Sequence, residues 1–211
     1  MQEYVANLEK EFSGIEHGFK EEQSRALRDA NSKDVASLKK LAFLAYQSRV
    51  YQVRMYGVFL FGHLSNDEGI LTYMRDEVSQ DDNWRVQEVL AKSFDEFCKN
   101  VGYERALPVI DEWLAHANPN TRRAVVEGLR IWTRRPYFKD NPDEAVRRIA
   151  RLKSDASDYV RKSVGNALRD ISKQFPELVK GEISGWELES KEMQQVYNLA
   201  SRFLPDTTQG K

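Results

Sequence analysis

The sequence predicts an all-α protein of HEAT-like repeats, a solenoid of stacked antiparallel helix pairs with a concave inner face. Three observations support this fold class. Four similar segments recur along the chain, their apolar residues follow helical spacing, and no segment alternates between apolar and polar residues as a strand does. Self-similarity at a period of about 20–50 residues indicates a repeat architecture.

The four repeated segments align without gaps and are expected to form the inner helix of each pair. They begin at Val53, Val86, Thr121 and Val160, which are 33, 35 and 39 residues apart. Each spacing suits one helical hairpin. Glycines recur within three of these segments, at Gly57, Gly128 and Gly165. Because glycine weakens a helix, we expect these positions to allow close approach of a neighbouring helix.

The other helices are predicted in chain order from apolar spacing and from start signals. Helices over Tyr4–Phe12 and Glu192–Leu204 are expected to close the two ends. Two partner helices carry apolar residues at helical spacing: Ala106, Leu107, Ile110, Trp113 and Leu114 in one, and Ala145, Val146, Ile149 and Leu152 in the other. Asn-Pro pairs at 118–119 and 141–142 mark turns and helix starts, because Asn caps a helix and Pro is tolerated in its first turn.

Length and composition limit the class of protein. The 211 residues suit one domain, 1–211, and 41% hydrophobic with 31% charged residues is typical of a folded chain. No apolar run approaches the ~18 residues that cross a bilayer, and no secretory signal is visible. We therefore expect a cytoplasmic monomer.

Metal and cofactor chemistry finds no support in the sequence. Cys98 is the single cysteine, and His17, His63 and His116 share no ligand spacing. No glycine-rich phosphate loop follows a strand. We expect no metal and no organic cofactor.

Charge is distributed unevenly, although the net charge is only −1. Residues 1–100 carry 13 basic and 17 acidic side chains, whereas residues 101–180 carry 16 basic and 11 acidic ones. An anionic ligand responds to local charge, so the basic stretch favours a nucleic-acid partner. The alternative is that this excess is a solvated face.

Several phrases in the sequence resemble the AlkD-like DNA alkylation repair glycosylases. They lie within 82–99 and 118–178 and include Asp82-Asn83-Trp84-Arg85-Val86-Gln87-Glu88, Thr121-Arg122-Arg123-Ala124, Arg134-Arg135-Pro136-Tyr137-Phe138 and Tyr159-Val160-Arg161-Lys162-Ser163-Val164-Gly165-Asn166. The resemblance implies a bacterial HEAT-like protein that releases cationic N3- or N7-alkylpurines from double-stranded DNA without flipping the base.

The same resemblance assigns roles to individual residues. The family's aromatic residue and carboxylate, one helical turn apart on a concave-face helix, match Trp84 and Glu88. The family's basic clamp on the DNA backbone matches Arg123. Two departures are visible: the carboxylate is Glu rather than Asp, and Asn166 stands where the best-studied branch has a second tryptophan. In addition, no DNA-contacting helix is evident near the amino terminus, because 21–31 is polar and rich in acids.

For the paired residues Trp84 and Glu88, the resemblance implies the chemistry of N-glycosidic bond hydrolysis. Release of a cationic base builds positive charge on the sugar, which a neighbouring carboxylate such as Glu88 would stabilise. Glu88 could also orient the attacking water. Trp84 could pack against the deoxyribose and favour the cationic state. The alternative is that Trp84 packs between repeats and Glu88 is a solvated helical residue.

A row of cations is expected to contact phosphates. Equivalent positions of successive inner helices carry Arg122, Arg123, Arg161 and Lys162, and the basic pair Arg134 and Arg135 follows the third. Such a row gives salt-dependent affinity without sequence preference. Alternatively, some of these residues pair with Glu127 or Asp158, and Tyr137 with Phe138 covers the core.

Three functions follow from these patterns. The first is a monofunctional alkylpurine DNA glycosylase, with Glu88 and Trp84 as catalytic residues. The second is a non-catalytic relative that binds distorted or branched DNA. The third is a protein-interaction scaffold, because HEAT solenoids often present concave surfaces to peptides.

Overall fold

A computed structural model describes residues 1–204, and within them every regular element is helical. The helices are α1 Gln2–Phe12, α2 Lys20–Ser32, α3 Val35–Tyr46, α4 Tyr51–His63, α5 Glu68–Asp76, α6 Trp84–Val101, α7 Leu107–Leu114, α8 Pro119–Trp132, α9 Pro142–Ala150, α10 Asp158–Ser172, α11 Pro176–Ser184 and α12 Lys191–Ala200, with a 3-10 turn at Val78–Gln80. The prediction of an all-α fold is confirmed. None of these helices is both long and apolar enough to cross a membrane.

The chain forms two compact units, Met1–Ala106 and the part from Leu107 onward. In the first unit α4 is the central helix and packs against α2, α3 and α6. In the second unit α10 packs against α8 and α12, and the helices α7, α9 and α11 pair with them. The inner helices predicted from the repeats are therefore α4, α6, α8 and α10. The prediction of one domain over 1–211 stays a prediction, and its last seven residues lie outside the described part.

An arginine in the first turn of an inner helix ties that helix to its neighbour in the second unit. On α8, Arg122 donates two hydrogen bonds to the Asp155 carboxylate, at 2.7 and 2.8 Å, and Asp155 lies just before α10. The remaining guanidinium nitrogen, Nη1, donates to the carbonyls of His116 and Ala117, at 2.7 and 2.8 Å. One side chain thus fixes the loop before its own helix and the loop before the next one.

The same arrangement recurs in the first unit. Arg54 of α4 donates to both oxygens of Asp81, at 2.8 and 3.1 Å, and to the carbonyl of Ser48. At the equivalent position of α6, Gln87 donates to the carbonyl of Asp81 at 2.7 Å. In each case the acceptor carbonyl lies six residues before the donor. This repeated contact sets where each inner helix begins.

Two of the recurring glycines allow the close helix approach that the sequence predicts. A Cβ at Gly57 would lie 2.9 Å from the backbone nitrogen of Tyr46 on α3, and one at Gly165 would lie 2.7 Å from Cβ of Leu199 on α12. Gly128 differs, because its neighbour is the side chain of Trp132 on the same helix, at 2.6 Å. That glycine accommodates a buried indole rather than a second helix.

Candidate nucleic-acid interface

Trp84 and Glu88 lie on the first two turns of α6, in the first unit. The helix begins there because Asn83 caps it: its side-chain oxygen accepts a hydrogen bond from the backbone nitrogen of Arg85 at 3.0 Å. Trp84 is 61% exposed, which is unusual for the largest apolar side chain. Trp84 therefore does not pack in the core of this unit, and its role as a site residue stays a prediction.

Glu88 is also exposed, one turn after Trp84 and on the same face of the helix. Within residues 1–204 its carboxylate has no hydrogen bond and no ion pair. Lys92, one turn further along α6, does not neutralise it; its ammonium lies over the Phe19 ring, 4.6 Å from the centroid. Glu88 is thus a free carboxylate beside an exposed indole.

A guanidinium holds the Trp84 ring in place. Arg85 lies over the Trp84 ring at 4.5 Å from its centroid and over the Tyr51 ring of α4 at 5.3 Å. We call these three residues the Trp84 stack. Cation–π contacts of this kind contribute about 0.5–1 kcal/mol at exposed sites, which is enough to restrict an exposed ring. The contact therefore restricts the orientation of the exposed indole.

Arg122 and Arg161, predicted to contact DNA, have internal partners. The Arg122 side chain is 13% exposed and bound to Asp155, as described above. Arg161 is equally buried and donates to the carbonyls of Asp155 and Ala156 at 2.7 and 3.1 Å. Their roles in DNA binding stay predictions; the structure gives both a role in holding the loops before α8 and α10.

Arg123 and Lys162 are placed differently. They occupy the next position on α8 and α10, two helices that pack against each other. Arg123 is partly exposed, has no ion pair within the described residues, and lies 5.9 Å from the ring centroid of Tyr159. Lys162 pairs with Asp158 at 2.7 Å, but both side chains are about half exposed, at 52% and 47%. Exposed pairs are weak, so Lys162 can exchange Asp158 for a phosphate.

The basic pair after α8 lies in a turn. The helix ends at Trp132, four residues before Pro136, and Arg134 is exposed while Arg135 is partly buried. Phe138 is fully buried and its ring stacks on Trp132 at 5.9 Å, so this aromatic covers the core as the structural alternative proposed. Tyr137 has a φ of +68°, which a bulky residue rarely adopts, and this turns the chain back toward the core.

Metal-ligating and nucleophilic groups do not gather at this surface. Among residues 1–204 no three His, Cys, Asp or Glu side chains are close enough to hold a metal ion. The thiol of Cys98 is buried, and burial raises its pKa far above the ordinary range. Asn166 is partly exposed on α10 and makes no side-chain hydrogen bond in the described part.

Comparison with known proteins decides the family. A family model described as DNA alkylation repair enzyme matches residues 1–193. The chain belongs to the DNA alkylation repair enzyme family. The crystal structure of AlkD2 from Streptococcus mutans is 71% identical, with a TM-score of 0.96 over 97% of this chain and 99% of that one. The structure of smu.31 from the same organism is 68% identical, with a TM-score of 0.92 and the same coverage.

A more distant relative covers only part of the chain. The Bacillus subtilis protein YhaZ is 36% identical over 87 residues, which are 39% of this chain. The match spans about a quarter of the length of that protein, 24%. The predicted DNA alkylation repair family and its HEAT-like repeat fold are both confirmed, while the roles of individual residues stay predictions.

Three residues beside the predicted site residues of the two units were not themselves predicted. They are Tyr51, Arg85 and Tyr159, which is 71% exposed beside Arg123. A signal for Tyr51 and Arg85 was available in the sequence. Tyr51 stands two residues before Val53, as Trp84 stands two residues before Val86, so Tyr51 and Trp84 occupy equivalent positions of adjacent repeats. Two aromatic residues at one repeat position, with Arg85 next to one of them, could have indicated the Trp84 stack.

Proposed function

We propose that this protein binds double-stranded DNA and acts as a monofunctional glycosylase on cationic N3- or N7-alkylpurines. The observation that carries the proposal is the free, exposed carboxylate of Glu88 beside the exposed Trp84, in a chain of the DNA alkylation repair enzyme family. We further propose that it works as a cytoplasmic monomer that associates with the nucleoid through DNA, and that it uses no metal or organic cofactor.

DNA binding is assigned to the second unit. Arg123 and Lys162 lie on adjacent packed helices at equivalent repeat positions, and each has a cationic group available to solvent. Two such groups suit successive phosphates of one strand, and Arg134 adds an exposed cation after α8. Arg122 and Arg161 support this surface by fixing the loops before the two helices.

Base release is assigned to Glu88 and Trp84. In the substrate the purine ring carries a positive charge, so the C1′–N bond breaks with its electron pair going to the base. Positive charge then develops on the sugar, and the Glu88 carboxylate stabilises it. Water adds to C1′ and loses a proton, for which Glu88 is the nearest acceptor in this proposal. The indole face of Trp84 contacts the sugar and favours the cationic state.

Salt dependence tests the DNA-binding part of this proposal. Affinity for a DNA duplex is expected to fall steeply between about 50 and 200 mM salt, because bound phosphates release counterions. Replacing Arg123 by Ala should weaken binding about uniformly across sequences and reduce the slope of log K against log salt by about 1. Fluorescence anisotropy with labelled duplexes measures both quantities.

A matched control removes a cation elsewhere in the same unit. Arg151 follows α9, is 63% exposed and pairs with Asp111, so Arg151→Ala removes equal charge from a different surface. It should leave the slope unchanged. Equal slopes for wild type and Arg123→Ala would contradict the phosphate contact. Affinity that does not respond to salt would favour a protein-interaction scaffold instead.

A second candidate is a relative that binds distorted or branched DNA without cleaving it. Two residues favour it: Glu88 is one methylene longer than the family's Asp, and Asn166 replaces a tryptophan. A displacement of about 1 Å can cost on the order of 100-fold in rate. Release of 7-methylguanine from methylated DNA separates the two candidates, because only the glycosylase releases the base.

A further inference from the structure

Lys92 has a glutamate on either side of it on α6, yet within residues 1–204 its ammonium pairs with neither. Glu88 lies four residues before it and Glu96 four residues after it, so both are its neighbours on the helix surface. Glu96 is engaged by Lys99 at 3.4 Å, whereas Glu88 is free. A glutamate four residues before a lysine is the favoured order for an ion pair on a helix. The separation of Glu88 from Lys92 therefore requires a physical cause.

The ring of Phe19 supplies that cause. The Lys92 ammonium lies 4.6 Å from the centroid of this ring, within the distance of a cation–π contact. A contact of this type is at least as strong as an ion pair between two partly exposed side chains on one helix. Phe19 therefore competes with Glu88 for the one ammonium group, and the ammonium lies on the ring.

The Phe19 ring is held in place by contacts that do not involve Lys92. Phe19 is the residue before α2, and its carbonyl accepts a hydrogen bond from the backbone nitrogen of Gln23 at 3.0 Å. Gly18 precedes it with a φ of +81°, a conformation that favours glycine and directs the chain into the helix. The ring contacts the buried Phe59 of α4, with 5.9 Å between centroids. The ring is thus a fixed partner for the flexible lysine.

We propose that Phe19 is a positioning residue that keeps the Glu88 carboxylate unpaired by holding the ammonium of Lys92. This inference rests on the proposed function, in which Glu88 stabilises positive charge on the sugar. An ammonium in contact with the carboxylate would compensate its charge, so that less of the negative field would act on the sugar. Phe19 acts through Lys92 and takes no part in breaking the bond.

A pair of substitutions tests the proposal. Phe19→Leu removes the aromatic face and keeps an apolar side chain against Phe59, so the ammonium becomes available to Glu88. An ion pair of this kind forms in roughly two thirds of molecules. Single-turnover release of 7-methylguanine should then fall about threefold, because only the unpaired fraction of Glu88 acts at full strength. Adding Lys92→Gln to Phe19→Leu should restore the rate, since no ammonium remains.

Two further variants are the matched controls. Phe19→Tyr keeps the aromatic face and should keep the wild-type rate. Lys92→Gln alone should also keep it, because Lys92 does not contact Glu88 in the wild type. A loss in Phe19→Leu that Lys92→Gln does not reverse would show that Phe19 only supports the fold, and this would overturn the proposal. An unchanged rate in Phe19→Leu would overturn it as well.

A readout without DNA separates this inference from the proposed function. In the NMR spectrum of the wild type, the ring current of Phe19 should shift the ε-methylene protons of Lys92 upfield, and Phe19→Leu should remove the shift. In a crystal structure of Phe19→Leu, the Lys92 ammonium should contact the Glu88 carboxylate; an ammonium that stays away from it would overturn the inference. If neither the wild type nor any variant releases base, the proposed function fails, while these two measurements still decide whether Phe19 keeps the charges apart.

Discussion

Replacing Glu88 by Gln is expected to reduce the single-turnover rate of 7-methylguanine release by about 100-fold. A neutral amide cannot stabilise the positive charge that develops on the sugar, and removal of one stabilising group of this kind costs about 10²–10³ in rate. Binding to unmodified duplex should change little, because duplex affinity comes mainly from cations on phosphates and a carboxylate makes no such contact. The measurement is chromatography of released base at enzyme excess.

A Glu-to-Gln substitution at another position of α6 provides the control. Glu96 lies two turns beyond Glu88 on α6 and forms an ion pair with Lys99. Glu96→Gln should release 7-methylguanine at the wild-type rate. Similar rates for Glu88→Gln and wild type would show that Glu88 has no part in the reaction.

The second large effect concerns stability. Asp155→Asn is expected to lower the free energy of unfolding by about 3 kcal/mol, because it leaves the Arg122 guanidinium buried without its counter-charge. The two side chains are only 13% and 5% exposed, so water does not compensate for the loss. Urea denaturation followed by circular dichroism measures the change. Asp158→Asn, at an exposed carboxylate in the first turn of α10, should leave the midpoint almost unchanged.

The Asp155–Arg122 pair also predicts a dependence on pH. Burial raises the pKa of Asp155. The hydrogen bonds from Arg122 and from the Ser157 backbone together outweigh burial, so the net pKa is below the ordinary value. A lowered pKa means that the folded state favours the ionised form. The pair therefore contributes its full stability above the pKa of the unfolded chain, and this contribution is lost as the pH falls through the folded pKa. The Asp155→Asn difference should shrink in acid.

Most of the helices could be predicted because their buried positions are apolar. The repeats at Val53, Val86, Thr121 and Val160 mark α4, α6, α8 and α10, and each of these four residues is buried. The spacing of four residues placed Trp84 and Glu88 on one face of the helix, whereas their exposure became known only from the structure. Apolar spacing predicts a helix whenever the core contacts are made by apolar side chains.

Helix α2 was not predicted from the sequence, because acidic side chains occupy its buried face. Asp29 accepts hydrogen bonds from the hydroxyls of Tyr4 and Tyr56, at 2.7 and 2.6 Å, and pairs with Lys33. Glu22 is fully buried as well. A polar stretch with buried carboxylates has no apolar period, and the tyrosine partners on α1 and α4 are distant in sequence.

The contacts of Arg122 and Arg161 with the loops before α8 and α10 were also not predicted from the sequence. A row of arginines on successive helices suggests phosphates, but an arginine in the first turn of an inner helix can reach back to the preceding loop. The pattern of charges in the sequence does not show whether such an arginine side chain points to solvent or back to the loop. The signal that was available is the aspartate six residues before the next inner arginine, Asp155 before Arg161, which supplies a counter-charge for Arg122.

The account depends most directly on contact between DNA and the face of α6 that carries Trp84. Oxidative footprinting with mass spectrometry measures it, since Trp84, Tyr159 and Phe203 are 61%, 71% and 51% exposed in the free protein. Saturating duplex DNA should protect Trp84 and Tyr159 from oxidation, while Phe203 remains reactive. If Tyr159 is protected and Trp84 is oxidised as fast as in the free protein, the DNA lies away from Glu88 and the proposed glycosylase site is wrong.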